Sequence, residues 1–344
     1  MSKRKLSRRQ LWRIDKIQQE REERARRSAQ RAEGALQEGH LGTERTGLVI
    51  ANYGTQVLVE ASDDRTLRQR CHLRANIDPL VTGDRVAWRP AVDGAAGSLG
   101  VVGARLQRHS ELQRPDRYGD LKTVAANIDR IAIVIAPRPQ PFANAIDRYL
   151  VAAEATGIKP ILLLNKIDLI DHQNREALAE ILQPYPQLGY PVIRLSTKTG
   201  EGLPQLLRTL AQGTSVFVGQ SGVGKSSLVN ALLPDAGARI GALSQATLKG
   251  THTTTAAELF HLPGGGDLID SPGIREFGLW HMSEQSLLEG FVEFRPFIGR
   301  CRFRDCRHQD EPGCAIAEAL QRGAISQRRM NSFLHLRNSL QRQN

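Results

Sequence analysis

Two patterns of hydrophobic and polar positions divide the chain. Residues 44–110 alternate short β-favouring runs with turn signals, and no helical period interrupts them. Five short strands of this kind predict a small barrel, and an OB-type β-barrel fits the size best. From about residue 124, near-continuous apolar runs alternate with helix-like segments, which predicts an α/β domain built on a parallel sheet. Ligand sites in such sheets lie beyond the carboxyl ends of the strands.

The remaining segments differ in charge and in their pattern of apolar residues. Residues 1–43 are a charged string with little apolar periodicity, and we predict a basic mobile arm that either orders on RNA or is a plain disordered tail. The pattern predicts a linker over 111–123, the α/β domain over 124–290 and a helical C-terminal domain over 291–344. No apolar run approaches the ~18 residues of a membrane span, and no secretory signal is evident, so we expect a cytoplasmic protein without a membrane partner.

Charge changes this picture, because the net charge of +11 is concentrated at the two ends. Residues 1–39 carry 12 Lys and Arg against 6 Asp and Glu, and residues 297–344 carry 9 Arg against 4 acidic residues. A neutral body with basic ends indicates a polyanionic partner, nucleic acid ahead of membrane, although a solubilising surface is the alternative. In the barrel region four arginines offer phosphate contacts, with a solvated strand face as the alternative: Arg65, Arg68, Arg70 and Arg74.

A phosphate-binding loop follows the predicted strand TSVFV and begins a helix. The motif is Gly219-x4-Gly224-Lys225-Ser226, in which glycines let backbone N–H groups face phosphates and Lys225 reaches the β- and γ-phosphates. Ser226 is the predicted Mg²⁺ ligand. The predicted phosphate contacts are Gly219, Gln220, Ser221, Gly222, Val223, Gly224, Lys225, Ser226 and Ser227.

A second motif predicts which nucleotide base is bound. Asn165-Lys166-x-Asp168 ends a predicted strand, where Asp168 can accept hydrogen bonds from both the ring N–H and the exocyclic amine of guanine. Adenine lacks this donor pair and would leave the carboxylate unpaired. Lys166 would lie along the base, and Asn165 would tie its loop to the phosphate loop. After the next strand, three residues can contact the guanine carbonyl oxygen: Ser196, Thr197 and Lys198.

The switch elements follow the phosphate loop. Asp270-Ser271-Pro272-Gly273 ends the strand DLID, so Asp270 is predicted to hold Mg²⁺ through water and the Gly273 N–H to meet the γ-phosphate. The polar segment LKGTHTTTAAEL precedes it, and Thr254 is the predicted further Mg²⁺ ligand. GTP with Mg²⁺ is therefore the predicted nucleotide.

The residue that activates water is less obvious. Ile274 stands where Ras-like proteins place a glutamine, and its side chain cannot hydrogen-bond to water, so intrinsic hydrolysis should be slow. His252, in the threonine-rich segment, is the nearest candidate to orient or deprotonate the water. The alternative is a histidine that caps or packs within that segment.

The order of the motifs is permuted. The guanine-reading motifs at 165 and 196 precede the phosphate loop at 219, whereas the usual order is the reverse, so the domain is circularly permuted. The Asp270 switch then leads directly into the C-terminal domain.

Three of the four cysteines lie close together in that domain. Cys301-x4-Cys306-x-His308-x5-Cys314 supplies four ligands, which predicts one closed, structural Zn²⁺ site. The metal would hold a small Arg-rich module that lacks enough core of its own. Cys71 lies apart and is predicted to be a small buried hydrophobe.

Taken in order, these motifs resemble the ribosome small-subunit-dependent GTPase A family, abbreviated RsgA and also called YjeQ. The resemblance spans about residues 44–315 and includes the stretches AANIDR, GDRVAW and GIREFGL. It implies an OB domain, a circularly permuted GTPase domain and a zinc domain, with His252 as the catalytic residue. Thr251 stands where arginine is common in the family, which leaves one fewer charge in the switch. Ser271 stands where threonine is common.

The resemblance also implies a function. We expect a monomeric GTP phosphohydrolase that binds the 30S ribosomal subunit and its 16S rRNA, assists late maturation of the subunit and hydrolyses GTP to GDP when the subunit stimulates it. One alternative is an RNA-binding nucleotide sensor with negligible turnover. Another is a small Ras-like switch for a protein or membrane partner.

Overall fold

The computed structural model divides into two compact units. The first unit holds the described residues up to Arg108 together with 257–259, and the second holds the remainder. The residues described are 41–92, 98–116, 118–234, 257–270, 277–279, 282–309 and 311–341.

Five strands form a closed barrel in the first unit. Their order is β1-β2-β3-β5-β4, with β4 returning to β1; β3 and β5 run parallel and the other neighbours antiparallel. This agrees with the predicted OB-type barrel. The strands are β1 (Arg45–Asn52), β2 (Gln56–Ala61), β3 (Arg68–Leu73), β4 (Arg85–Arg89) and β5 (Gly100–Arg105).

The barrel core explains several residues of these strands. Trp88 and Cys71 are fully buried among valines of neighbouring strands, so Cys71 packs as a small hydrophobe. A Cβ on Gly47 would lie 2.5 Å from both the Trp88 indole nitrogen and Val59 Cγ1, so only glycine fits beneath the Trp88 ring. The stretch GDRVAW has a structural role here, since the buried Asp84 accepts two hydrogen bonds from Arg108, at 2.6 and 2.8 Å.

The second unit is built on a parallel sheet. Five strands lie in the order β10-β9-β8-β11-β13, and every neighbouring pair is parallel. Strand β11, between β8 and β13, carries the phosphate loop, and β8, β9 and β10 precede it in the chain. The permuted motif order is therefore also present in the strand topology. The strands of this sheet are β8 (Arg130–Ile135), β9 (Lys159–Leu164), β10 (Val192–Arg194), β11 (Thr214–Val218) and β13 (Asp267–Asp270), and β12 (Glu258–His261) precedes β13 in the chain.

Helices cover this sheet and continue into the C-terminal region. A 3-10 turn, Ile167–Leu169, follows β9, and a second 3-10 helix, Val292–Phe297, follows α6. The α-helices are α1 (Ala143–Thr156), α2 (Arg175–Leu182), α3 (Pro184–Gln187), α4 (Leu203–Leu210), α5 (Lys225–Leu232), α6 (Glu284–Gly290), α7 (Ala315–Gln321) and α8 (Gln327–Gln341).

One segment differs from its sequence-based interpretation. Residues 111–123 were predicted to be a linker, but the chain there forms an antiparallel hairpin of β6 (Glu111–Pro115) and β7 (Leu121–Ala126). The Asp116 carboxylate accepts N–H groups of Tyr118 and Asp120 across the turn. The alternation of polar and apolar residues in ELQRP and LKTVAA is a strand signal, and the polar composition of the turn obscured it.

A buried ion pair fixes α8 to the rest of the second unit. Arg329 donates to Asp147 of α1 at 2.6 Å and to Glu293 at 2.5 Å, and its guanidinium lies 4.4 Å from the centre of the Phe291 ring. Burial opposes the charge of Arg329, but the two carboxylates outweigh it and raise the pKa of the guanidinium. The Tyr185 hydroxyl also donates to Asp147, at 2.8 Å.

Replacing Asp147 with alanine is expected to lower the free energy of unfolding by about 3–5 kcal/mol, because it leaves the Arg329 charge and the Tyr185 hydroxyl without this partner in the interior. Urea unfolding followed by circular dichroism measures the change. Arg138→Ala is the matched control, since that ion pair with Asp171 is exposed and should contribute less than about 1 kcal/mol. A loss at Asp147 no larger than at Arg138 would contradict the stabilising role.

Candidate nucleotide and metal sites

The phosphate loop joins β11 to α5 at the carboxyl edge of the sheet. Gly219 and Gly224 have φ values of 139° and 99°, and a Cβ on Gly219 would lie 2.3 Å from the Val134 carbonyl oxygen. Lys225 Nζ donates to the carbonyl oxygens of Gly219 and Gln220, both at 2.6 Å, so the lysine lies across its own loop. The loop N–H groups and the first turn of α5 make a positive concavity that suits phosphates.

The Asn165 loop contacts the phosphate loop directly. Asn165 is fully buried, and its side-chain amide donates to the Val223 carbonyl oxygen at 3.0 Å. Lys166 has a left-handed backbone, with φ of 59°, and its Nζ donates to the carbonyl oxygens of Gly222 and Arg138. The contacts to Val223 and Gly222 join segments that lie more than fifty residues apart in the chain.

Asp168 and the Ser196 loop also lie together. The Ser196 hydroxyl donates to Asp168 Oδ1 at 2.6 Å, and the N–H groups of Lys198 and Thr199 donate back to the same hydroxyl at 3.2 Å. The buried Ser196 therefore orients the Asp168 carboxylate and shapes the turn that contains Thr197 and Lys198. This arrangement suits a base that presents two donors to a carboxylate.

The structure covers part of the predicted Mg²⁺ and switch residues. Ser226 lies in the first turn of α5, and Asp270 ends β13, the parallel neighbour of β11, so both lie at the carboxyl edge of this sheet. A hydroxyl and a carboxylate are ligands that Mg²⁺ accepts, directly or through water. The predicted residues Thr254, His252 and Gly273, like Thr251, Ser271 and Ile274, lie outside the described residues.

The sequence motifs did not indicate that the loop after β8 lies at this site. Pro139 lies next to the phosphate loop, with its Cδ 3.7 Å from where a Cβ of Gly222 would stand. A small apolar pocket lies between this loop and the phosphate loop, and Pro139, Phe142, Tyr149 and Gln220 are among its lining residues. The signal that could have revealed it is the proline-rich run APRPQPF directly after a buried strand, at the sheet edge where ligands bind.

The four predicted zinc ligands form one cluster. The ligand atoms of Cys301, Cys306, His308 and Cys314 all lie within 4.8 Å of one another. His308 Nδ1 is 3.5 Å from Cys301 Sγ and from Cys314 Sγ, and these two sulfurs are 4.0 Å apart. A tetrahedral Zn²⁺ would separate two sulfurs by about 3.8 Å and a sulfur from a nitrogen by about 3.5 Å. The donor set and its spacing therefore fit a closed tetrahedral metal site.

Groups around the cluster fix the ligands. Glu311 accepts the N–H groups of Arg307 and Gln309 at 2.8 and 2.9 Å, and these bonds lower the pKa of its carboxyl to about 2. Arg337 of α8 donates to the Arg307 carbonyl oxygen. Burial lowers the pKa of His308, which favours the neutral imidazole that metals bind.

Replacing Cys306 with alanine is expected to reduce zinc from about one ion per chain to less than about a tenth of that, since three ligands no longer close a structural site. The melting temperature of the second unit should fall as well, because binding of a structural metal contributes to folding. Metal analysis of the purified chain and calorimetry test both effects. Cys71→Ala, which changes a cysteine outside the cluster, should retain the metal, and an unchanged zinc content in the Cys306 variant would contradict the assignment.

Comparison with known proteins extends these observations. A family model described as RsgA GTPase matches residues 105–280. Over 342 residues the chain is 59% identical to the small ribosomal subunit biogenesis GTPase RsgA of Ectopseudomonas mendocina strain ymp, covering 99% of this chain and 98% of that protein. It is 57% identical, over 345 residues, to the protein of the same name from Hahella chejuensis, covering 100% and 98% of the two chains.

Solved structures are similar over most of their length. The crystal structure of YjeQ from Thermotoga maritima aligns with a TM-score of 0.71 and 31% identity, covering 87% of this chain and 99% of that one. YloQ, described as a circularly permuted GTPase, aligns with a TM-score of 0.68 and 25% identity, covering 89% and 98%. Within the described residues, none of the helices is both long and apolar enough to span a bilayer.

Proposed function

Because the chain belongs to the RsgA GTPase family, we propose that it is a GTPase that binds the 30S ribosomal subunit, assists its late maturation and hydrolyses GTP to GDP and phosphate. The observation that carries the proposal is the direct contact between two loops, one suited to a guanine base and the other to phosphates. Asn165 bonds to Val223 of the phosphate loop, and three residues on, Asp168 is oriented by Ser196. A guanine nucleotide is the ligand class that satisfies both loops.

The nucleotide contacts of the proposal follow from the chemistry of each group. Asp168 accepts the two guanine donors, while Lys166 lies along the base and the Ser196 loop faces the guanine carbonyl oxygen. The phosphate-loop N–H groups hold the phosphates, and Gly273 donates to the γ-phosphate. In the structure, Lys225 Nζ donates to two carbonyl oxygens of the phosphate loop. GTP would offer it phosphate oxygens as acceptors in their place. Lys225 then neutralises charge that develops on the β- and γ-phosphates.

The residues present also suit a magnesium ion. Ser226 and Thr254 would bind it through hydroxyl oxygens, and Asp270 would hold it through water. A bound magnesium ion would supply positive charge that offsets the charge of the phosphates.

Hydrolysis in this proposal depends on the partner. Water attacks the γ-phosphorus, the bond from that phosphorus to the oxygen bridging to the β-phosphate breaks, and GDP leaves. Ile274 cannot orient the water, so His252 performs this task once contacts with the ribosomal subunit have arranged the switch segments. A slow intrinsic rate and a fast stimulated rate follow from this division of labour.

The partners of the proposal are GTP, GDP and the 30S subunit with its 16S rRNA, and the chain acts as a monomer in the cytoplasm without a membrane partner. Support comes from the family and from the basic ends of the sequence. The arginines of β3 and its flanks remain candidates for phosphate contact, because Arg65, Arg68, Arg70 and Arg74 are all exposed. Arg68 is also paired with Glu60, at 2.8 Å, and Arg70 stacks on the Tyr53 ring.

Co-sedimentation with purified 30S subunits tests the partner. With a non-hydrolysable GTP analogue the chain should pellet with 30S subunits, and with GDP it should remain in the supernatant. Purified 50S subunits are the control and should not carry the chain down. Binding that is equal in GDP and in the GTP analogue would contradict the proposed nucleotide control, and binding to neither subunit would contradict the partner.

A further inference from the structure

The segment between the first two cysteines of the metal cluster exposes a phenylalanine between two arginines. Phe303 is 45% exposed, and Arg302 and Arg304 on either side are also exposed. The Arg302 guanidinium lies 5.5 Å from the centre of the Phe303 ring. Nearly half of Phe303 is open to solvent, and a ring in this position beside a cation suits a ligand with a flat π-face.

The backbone of this segment is held at both ends. Cys301 and Cys306 bound it, and the Arg302 N–H donates to the Gly313 carbonyl oxygen at 2.9 Å. Gly313 has φ of 75°, and a Cβ there would lie 2.9 Å from Arg302 Cβ. The chain segments that contain Arg302 and Gly313 are therefore in close contact. A ring presented on a loop fixed in this way is ordered before it binds, which lowers the entropy cost of binding.

The charge around Phe303 is predominantly positive. Four arginines within eight residues are exposed: Arg300, Arg302, Arg304 and Arg307. Of the acidic side chains described nearby, Asp305 is exposed, whereas Glu311 already accepts two backbone N–H groups of the same loop. The surface therefore complements a polyanion and carries an aromatic ring at its centre.

We propose that Phe303 is a stacking platform for an unpaired RNA base, and that Arg302 and Arg304 bind the phosphates on either side of that base. The inference rests on the proposed function, which makes ribosomal RNA the partner. Unpaired RNA bases stack on aromatic rings and on arginine planes, and this segment offers both. A lipid surface would need several apolar side chains to insert, whereas Phe303 is flanked by arginines.

The test compares full-length variants on two probes, a short single-stranded RNA and inorganic polyphosphate, which has the charges but no bases. Phe303→Ala should weaken RNA binding by about 5- to 150-fold, the range expected for one stacked base. It should leave polyphosphate binding and the salt dependence of RNA binding unchanged. Arg302→Gln and Arg304→Gln should each lower the slope of log K against log salt by about one.

Two further variants keep the test decisive. Phe303→Trp should retain RNA binding, and its added fluorescence should be quenched as the base stacks. Phe303→Leu keeps apolar volume without a π-face, so it should bind RNA weakly while holding full zinc, even where the alanine variant loses metal. Tyr118→Ala is the matched control, because Tyr118 is an exposed aromatic residue in the turn between β6 and β7, outside the metal cluster and the nucleotide-site loops.

Three results would overturn the inference: wild-type RNA binding in the leucine variant, equal weakening on RNA and polyphosphate, or an equal loss in the Tyr118 variant. Purified 30S subunits separate this failure from that of the proposed function. If the wild-type chain binds them and the Phe303 variants bind as tightly, only the stacking platform is wrong. If the wild-type chain does not bind them, the proposed partner is wrong.

Discussion

Replacing Asp168 with asparagine is expected to weaken GTP binding by roughly 10²- to 10⁴-fold, since two hydrogen bonds to a charged group contribute about 1.5–3 kcal/mol each. The asparagine amide would also place a donor against a guanine donor. Xanthine carries a carbonyl where guanine carries the amine, so the same variant should bind XTP more tightly than the wild-type chain does. Fluorescence titration with labelled GTP and XTP measures both affinities.

Asp171→Asn is the matched control for this exchange. Asp171 lies three residues further along the same loop, where its carboxylate accepts the N–H groups of Gln173 and Asn174 and pairs with Arg138. An asparagine oxygen can still accept those bonds, so GTP affinity should change by less than about 3-fold. If the Asp168 variant kept wild-type affinity for GTP and gained no affinity for XTP, the Asp168 carboxylate would not be the group that recognises guanine.

His252→Ala is expected to reduce 30S-stimulated hydrolysis by about 10²- to 10⁴-fold, the range that a positioned acid or base contributes. GTP affinity should stay nearly constant, because no predicted contact to the base or the phosphates is lost. The basis is the sequence: Ile274 occupies the position that usually orients water, and His252 is the nearest alternative in the switch region. Rapid-quench measurement of a single turnover separates the chemical step from binding and release.

His172→Ala controls for the loss of a histidine as such, since His172 is exposed on the loop after the guanine-reading motif. It should hydrolyse GTP at the wild-type rate. A His252 variant with full stimulated activity would remove the catalytic role and leave a histidine that only caps or packs in its segment. A His252 variant that lost GTP affinity would instead assign it to binding.

Local patterns predicted much of this architecture. The five barrel strands follow from alternating runs, and the parallel strands from continuous apolar runs such as IAIVI and ILLL. The grouping of three cysteines and one histidine was predicted from ligand type and spacing alone, since Cys301 through Cys314 lie within fourteen residues. These features are local in the sequence, so a local pattern can reveal them.

Contacts between residues that are distant in the sequence could not be predicted from local patterns. The partners of Arg329 are Asp147 and Glu293, which are 182 and 36 residues away, and each residue viewed alone looks like an ordinary charged position on a helix surface. The contact between Lys166 and the loop after β8 likewise depends on sheet order. Asn165 is the exception, because its motif carries information about the phosphate loop that it contacts.

Single-turnover GTP hydrolysis by the purified chain tests whether the 30S subunit completes a GTPase site that is slow alone. The reaction is followed without ribosomal particles, with 30S subunits and with 50S subunits. We expect 30S subunits to stimulate hydrolysis roughly 100-fold or more and 50S subunits to have no effect. Tight, GTP-dependent binding to 30S subunits without stimulation would contradict this expectation and identify a nucleotide sensor with negligible turnover.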